Sequence, residues 1–264
     1  MKITYYLYNA FVIQWDDKKI AFDPGALFAY WFSFASLIPK EEWKDITQIF
    51  VTHGDPDHYV YADKVMEASG APVIFNKIMV KDVDGKILML GPRSKGMAFD
   101  TPVSNFHTLS ANESIEVDGM KIKGIKATHG PLTVKIGPIK KTEDPKENER
   151  VGWGSLGYEI NYKGKTIVNL GDSLLETEAW KNIKNPDVLM IPIGGKDLDN
   201  TMDEHEAIEA IKIIQPKMVI PMHYDLPVLF TKHYAPVDEA MFKKEVEKLG
   251  SQCNILKKGQ SLEL

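Results

Sequence analysis

The segment Thr52-His53-Gly54-Asp55-Pro56-Asp57-His58 follows a largely apolar run, 46–52, that is typical of a buried strand. Gly54 and Pro56 add no competing side chain and suit a tight turn. Imidazole and carboxylate groups are ligands for Zn, Mn or Fe. The pattern favours a metal site at this strand end over a solvated polar turn, and four side chains can serve as its ligands: His53, Asp55, Asp57 and His58.

Three later apolar runs also end in a residue that can bind a metal ion. They are Ala127-Thr128-His129-Gly130, Leu170-Gly171-Asp172-Ser173 and Pro221-Met222-His223-Tyr224. A single His of this kind is more often a surface or core residue, and a single Gly-Asp is usually a turn. Four such strand ends in one chain favour a shared site, because loops at strand ends converge on one edge in layered α/β proteins.

The composition excludes several classes of protein. Hydrophobic residues make up 44% and charged residues 26% of the 264 positions, which excludes long disorder, a fibrous chain and a membrane bundle. The net charge of −5 argues against a surface for nucleic acid. The most apolar stretch, 26–39, is shorter than the roughly 20 residues of a membrane-spanning helix. No targeting segment is visible at the start, so we expect a cytoplasmic location with no membrane partner.

The single cysteine, Cys253, can form neither an internal disulfide nor a cysteine-rich zinc site, so His, Asp or Glu must hold any metal. Helical spacing and caps predict helices near 61–69, 203–214 and 237–249, whereas strands dominate elsewhere. The charged stretch 140–150 is typical of a surface insertion. Because no linker is visible, we expect one α/β domain over 1–264.

In this ordered set of motifs the chain resembles the metallo-β-lactamase superfamily, near the branch of small metal-dependent hydrolases that includes ascorbate-phosphate lactonase. The hallmark there is His-x-His-x-Asp-His, then a His, a bridging Asp and a final His. The similarity covers about residues 1–228 and extends to Asp23-Pro24, Pro192-Ile193-Gly194-Gly195, Thr201-Met202 and Ile220-Pro221-Met222-His223-Tyr224. It implies a four-layer αββα sandwich with a dinuclear site at one edge of its two sheets.

The resemblance also implies a role for each ligand. One divalent ion, Zn, Mn or Fe, would be held by His53, Asp55 and His129, and a second by Asp57, His58 and His223, with Asp172 bridging both. Asp57 and Asp172 would be the catalytic residues. A hydroxide between the ions would attack carbon or phosphorus, because the ions lower the pKa of water and polarise the substrate. The expected reaction is hydrolysis of a small-molecule ester, lactone or phosphoester, and a homo-oligomer is left open.

Two positions depart from the family pattern. Asp55 replaces the second His of the hallmark, so either the first metal is lost or the site is harder and more anionic. A ligand set of four neutral His and three carboxylates has a charge of −3, so with two divalent ions the site has a net charge of +1. The family set of five neutral His and two carboxylates would give +2 with the same ions. Relatives also carry a His near the start, where this chain has Tyr6-Leu7-Tyr8-Asn9-Ala10-Phe11 and Asn9 offers a comparable polar group.

Other features carry weaker signals. Lys196 and His205 are expected at the surface, and His107 and His233 are expected to be structural or surface residues, although His233 could also reach the site. Tyr224 and Asp225 are candidates for orienting a ligand or donating a proton. The aromatic segment 27–34 suits a core, a dimer contact or an apolar wall beside the metals. Two other functions stay open. One is a di-iron redox enzyme, because di-iron flavoproteins of the superfamily also carry a carboxylate at the position of Asp55, although no length remains for a flavin domain. The other is a catalytically weak metal-binding protein.

The replacement Asp55→His is expected to shift the bound metal from Mn or Fe toward Zn, because it removes a hard anionic oxygen ligand. Metal analysis of the purified wild type and variant measures this shift. Asp118→His, at the Asp118-Gly119 hairpin turn, is the matched control and should leave the metal content unchanged. Identical metal identity and stoichiometry in wild type and Asp55→His would contradict the harder-site interpretation.

Overall fold

The computed structural model describes residues 1–29, 33–89, 93–94, 97–98, 100–136, 139–143, 152–196, 199–225 and 237–264. The chain divides into two compact units. The first comprises Met1–Thr108, Lys146–Gly154 and Leu256–Leu264, and the second comprises Leu109–Pro145 and Ser155–Ile255. Neither unit is one continuous stretch of chain. The expectation of a single domain over 1–264 stays a prediction.

Strands and helices alternate along much of the chain. The strands are β1 (Lys2–Tyr5), β2 (Phe11–Trp15), β3 (Lys18–Phe22), β4 (Ala26–Ala29), β5 (Ser33–Ser36), β6 (Gln48–Phe50), β7 (Val73–Asn76), β8 (Val80–Val83), β9 (Lys86–Met89), β10 (Arg93–Ser94), β11 (Met97–Ala98), β12 (Thr101–Pro102), β13 (Phe106–Leu109), β14 (Ser114–Val117), β15 (Met120–Lys126), β16 (Leu132–Ile136), β17 (Ile139–Glu143), β18 (Leu156–Tyr162), β19 (Lys165–Asn169), β20 (Val188–Pro192), β21 (Met218–Met222), β22 (Gln252–Cys253) and β23 (Ser261–Glu263). The helices are α1 (Lys40–Trp43), α2 (Pro56–Tyr59), α3 (Ala62–Ser69), α4 (Thr177–Trp180), α5 (Glu204–Ile214) and α6 (Glu239–Lys248), and Lys77–Met79 forms a 3-10 turn.

The first unit is built on a seven-stranded sheet with the order β13-β7-β6-β3-β2-β1-β23. Its strands β1, β2 and β3 pair antiparallel, whereas β3, β6 and β7 pair parallel. In the parallel pair Phe22 lies opposite Phe50, and both side chains are fully buried. The chain segments that follow β3 and β6 therefore leave the sheet at the same edge, where ligands bind in α/β sheets.

The second unit is built on another seven-stranded sheet, with the order β14-β15-β18-β19-β20-β21-β22. Strands β19, β20, β21 and β22 pair parallel, and every residue of β20 and β21 is buried. Such strands read as continuous apolar runs because both faces are covered. The segments after β19, β20 and β21 again leave one edge together.

The predicted helices are confirmed with small shifts at their ends. α5 begins after Asp203, whose side chain accepts hydrogen bonds from the backbone of residues 205 and 206 and forms a capping box with Glu206. Its apolar residues pack into the core beside β20. α3 ends at Gly70, whose left-handed φ of 75° closes the helix. The predicted α/β class is confirmed in both units.

Several predictions fall outside the described residues. The side chains of the aromatic segment 27–34, most of the charged stretch 140–150 and His233 are among them. Cys253 is buried, and its burial raises the thiol pKa to about 12, so the thiol stays protonated in the core. Among the helices that the structure describes, none is both long and apolar enough to cross a membrane.

Candidate metal centre

Asp23 is the buried carboxylate around which the candidate ligands of the first unit are arranged. It follows β3 with a left-handed φ of 43° and is fully buried. Its oxygens accept hydrogen bonds from the backbone N–H of Thr52, from Nδ2 of Asn9 and from Nδ1 of His58, each at 2.7 Å. A buried charge is costly unless it is compensated by such donors. Asn9, which lies where relatives carry a His, therefore serves to hold Asp23.

The contact with Asp23 sets the chemical state of His58. Because a carboxylate accepts and does not donate, Nδ1 of His58 carries the proton and Nε2 keeps its lone pair. Nε2 lies 3.4 Å from Oδ2 of Asp57. A nitrogen and an oxygen that suit a metal ion are thus held side by side at the start of α2.

His53 and Asp55 form a second pair in the same loop. Nε2 of His53 lies 3.4 Å from Oδ2 of Asp55, and the rings of His53 and His58 are 4.0 Å apart. The other oxygen of Asp55, Oδ1, accepts a hydrogen bond of 2.7 Å from the backbone N–H of Gly152. The substituted residue is therefore fixed beside His53 and stays a predicted ligand.

Gly25 explains why the Asp23-Pro24 motif continues with glycine. A Cβ atom on Gly25 would lie 1.8 Å from the backbone oxygen of Asp57, so no larger residue fits. The carbonyl of Pro24 also accepts a hydrogen bond of 2.9 Å from the N–H of Tyr61. The turn after β3 thus packs directly on the backbone that carries Asp57.

The three predicted ligands of the second unit follow β15, β19 and β21. Nε2 of His223 lies 2.7 Å from Oδ2 of Asp172, and both residues are buried. Nδ1 of His129 lies 2.7 Å from the carbonyl oxygen of Gly130, which fixes the proton on Nδ1 and leaves Nε2 as the ligand atom. The N–H of Thr128 donates to Oγ of Ser173 at 3.0 Å, so the two ligand loops are adjacent.

The glycines after β20 serve packing. A Cβ atom on Gly194 would lie 2.1 Å from the carbonyl oxygen of His223, and one on Gly195 would lie 1.8 Å from that of Thr201. The backbone N–H of Gly195 donates to the carbonyl of Met202, and the N–H of Met202 donates to the carbonyl of Ser173. The two motifs that resemble the family therefore hold the loops that carry Asp172 and His223.

The remaining candidate residues differ in how far they are exposed to solvent. Lys196, His205 and His107 are exposed, as predicted. Burial, followed by the nearby carboxylates of Glu239 and Asp225, raises the pKa of Tyr224. Its hydroxyl therefore stays protonated and can donate a hydrogen bond.

Each of the seven predicted ligands is a member of a group of His and carboxylate side chains that could hold a metal ion. The donor set consists of imidazole nitrogens and carboxylate oxygens, which fits Zn, Mn or Fe. The assignment of these seven residues as ligands stays a prediction. Sequence reasoning missed the role of Asp23, which it noted only as part of a shared motif.

Comparison with known proteins identifies the family of the chain. Residues 2–223 match the beta-lactamase superfamily domain. A UPF0173 metal-dependent hydrolase of Pelotomaculum thermopropionicum is 31% identical over 271 residues, covering 100% of both chains. The chain therefore belongs to the beta-lactamase superfamily and to the UPF0173 family of metal-dependent hydrolases. The predicted resemblance to the superfamily is confirmed, whereas the closer resemblance to ascorbate-phosphate lactonase stays a prediction.

Solved structures show the same fold. Igni18, a metallo hydrolase from Ignicoccus hospitalis, has a TM-score of 0.67 at 22% identity and covers 100% of this chain and 98% of its own. The metallo-beta-lactamase fold protein YhfI from Bacillus subtilis has a TM-score of 0.62 at 14% identity and covers 99% of both chains. CmlA, a diiron beta-hydroxylase from Streptomyces venezuelae, reaches 0.66 at 14% identity, over 100% of this chain and 54% of its own. The predicted metallo-β-lactamase fold is confirmed.

Asp23→Asn is expected to destabilise the metal-free protein by about 2–4 kcal/mol, because an amide nitrogen replaces one acceptor oxygen among donors that are already buried. The affinity for metal ions should fall by about 10–100-fold, since His58 loses the partner that orients it. Urea unfolding and metal titration measure the two effects. The control is Asp16→Asn, an exposed position with a similar left-handed φ of 56°. Wild-type stability and metal affinity in Asp23→Asn would contradict this role.

Proposed function

We propose that this protein hydrolyses a small-molecule ester, lactone or phosphoester with the help of two divalent metal ions. The observation that carries the proposal is the fixed orientation of the imidazoles. Nδ1 of His58 is held by Asp23 and Nδ1 of His129 by the carbonyl of Gly130, each at 2.7 Å. In both rings Nε2 is left to bind a metal ion, as in metal sites whose outer partners orient the ligands.

The proposed assignment follows the order of motifs in the family. One ion would be held by His53, Asp55 and His129 and the other by Asp57, His58 and His223, and Asp172 would contribute to both. When bound, the two ions would lower the pKa of a water molecule and polarise the carbonyl or phosphoryl oxygen of the substrate. Three carboxylates in place of two make the site harder, which favours Mn or Fe over Zn.

The carboxylates of Asp57 and Asp172 are the proposed catalytic groups. Asp57 lies next to Nε2 of His58, and Asp172 lies next to Nε2 of His223, so each can orient the attacking water or accept its proton. These roles need no other nucleophile.

The proposed substrate is a small molecule. The proposed location of the protein is the cytoplasm. A net charge of −5 disfavours long anionic polymers such as nucleic acid. With four neutral His, three carboxylates and two divalent ions, the site keeps only +1, so its pull on anionic substrates is weak. A neutral lactone or ester, or a singly charged phosphodiester, suits this balance better than a polyanion.

A redox function is the second candidate, because Asp55 gives the site the carboxylate-rich character that suits iron. The family favours hydrolysis, since the relatives that match along the whole chain are named metal-dependent hydrolases. A catalytically weak metal-binding protein is the third candidate and requires that Asp55 disables the first site. The assay below separates all three.

Protein loaded separately with Mn, Fe or Zn should hydrolyse at least one of three probes: 4-nitrophenyl acetate, γ-butyrolactone or bis(4-nitrophenyl) phosphate. Chelation should abolish turnover, and Asp172→Asn should lower kcat by about 10²–10⁴-fold, because it removes a catalytic carboxylate. Asp118→Asn, in an exposed hairpin turn of the same unit, is the matched control and should keep wild-type rates.

Three results would contradict the proposal. Turnover that survives chelation would remove the metal from the reaction. Visible absorption from bound iron with oxygen or peroxide turnover would favour the redox candidate. Binding of about one ion without turnover of any probe would favour the weak metal-binding protein.

A further inference from the structure

We infer that Thr52 is a positioning residue that links the buried carboxylate of Asp23 to His53. Asp23 then orients two candidate metal ligands, His58 directly and His53 through the Thr52 hydroxyl. Thr52 lies at the end of the apolar run before His53 and is 1% exposed. Its Oγ1 donates to Oδ2 of Asp23 at 2.5 Å and lies 3.1 Å from Nδ1 of His53. The inference rests on the proposed function only in taking His53 and His58 as metal ligands.

The direction of the second contact follows from counting hydrogens. A threonine hydroxyl has one hydrogen and two acceptor lone pairs. The short contact to a carboxylate is the stronger of the two, so this hydrogen belongs to the bond with Asp23. Oγ1 can then only accept from His53, and Nδ1 of His53 must carry the proton. Nε2 keeps its lone pair and faces Oδ2 of Asp55 at 3.4 Å.

One oxygen atom therefore determines the orientation of both imidazole rings. Oδ2 of Asp23 accepts from the Thr52 hydroxyl and from Nδ1 of His58, which lies 2.7 Å away. In the proposed assignment His53 and His58 bind different ions. Asp23 thus orients His58, a proposed ligand of one ion, and through Thr52 it also orients His53, a proposed ligand of the other.

The local structure of Thr52 fits this role. Its backbone N–H donates to Oδ1 of Asp23 at 2.7 Å, so the residue holds both carboxylate oxygens. Its branched Cβ leaves χ1 few alternatives, which keeps the hydroxyl between its two partners. A threonine also precedes His129, but the hydroxyl of Thr128 donates to Glu176 instead, and His129 is oriented by a carbonyl. The role is therefore specific to Thr52 and does not follow from a Thr-His pair alone.

Thr52→Val removes the hydroxyl and keeps the shape, whereas Thr52→Ser keeps the hydroxyl. The control is Thr47→Val in the same unit, where the lost hydroxyl contacts Gln48 and the backbone of Lys19. Long-range proton–nitrogen NMR of metal-free protein with ¹⁵N-labelled His, at about pH 8 where imidazoles are neutral, reports the tautomer of each ring. Metal titration with Mn reports the affinity of each ion.

The expected result is a proton on Nδ1 of His53 in the wild type, in Thr52→Ser and in Thr47→Val, and loss of this preference in Thr52→Val. In Thr52→Val the affinity for one ion should fall by about 10–100-fold, as for other outer partners of ligand His residues. The Nδ1 proton of His58 should remain in all four proteins.

A wild-type His53 with its proton on Nε2 would overturn the inference, and this measurement needs no variant to fold. So would Thr52→Val with an unchanged His53 tautomer and unchanged metal affinities. A wild type that hydrolyses none of the probe substrates, but shows the Nδ1 proton on His53, supports the inference and counts against the proposed function alone.

Discussion

The buried carboxylate of Asp23 is the interaction on which the candidate ligands of the first unit depend. It draws donors from three separate segments: the turn before β2, the end of β6 and helix α2. A buried carboxylate without donors would cost several kcal/mol, so folding of this edge requires that all three segments arrive together. The same hydrogen bonds that stabilise the charge place the proton of His58 on Nδ1, so that Nε2 keeps its lone pair. Stability and ligand geometry thus have one physical source.

Parallel strands and glycines bring the loops close enough for such contacts. β3 and β6 in the first unit, and β19, β20 and β21 in the second, end at common edges of their sheets. Gly25 and Gly194 then let one backbone approach another to a distance that any Cβ atom would prevent. Regular structure places the loops, and glycine permits their final approach.

Sequence reasoning could propose the candidate ligands because they are local signals at strand ends, above all in the stretch 53–58. It reached α5 because periodic apolar residues and the capping residues Asp203 and Glu206 are adjacent in the chain. It missed the role of Asp23, because its donors lie 14, 29 and 35 positions away, and no periodic pattern encodes such contacts. For the same reason it noted Asn9 only as a polar group in place of a family His and did not predict its contact with Asp23.

The central claim is that seven His and Asp side chains bind two metal ions, with Asp55 as a true ligand. Anomalous diffraction at the Mn, Fe and Zn edges, from crystals of protein purified without added metal, tests it most directly. The account predicts two peaks about 3.5–4 Å apart, with an oxygen of Asp55 bound to the ion that His53 binds. A single peak that Asp55 does not contact, or peaks away from these side chains, would contradict it.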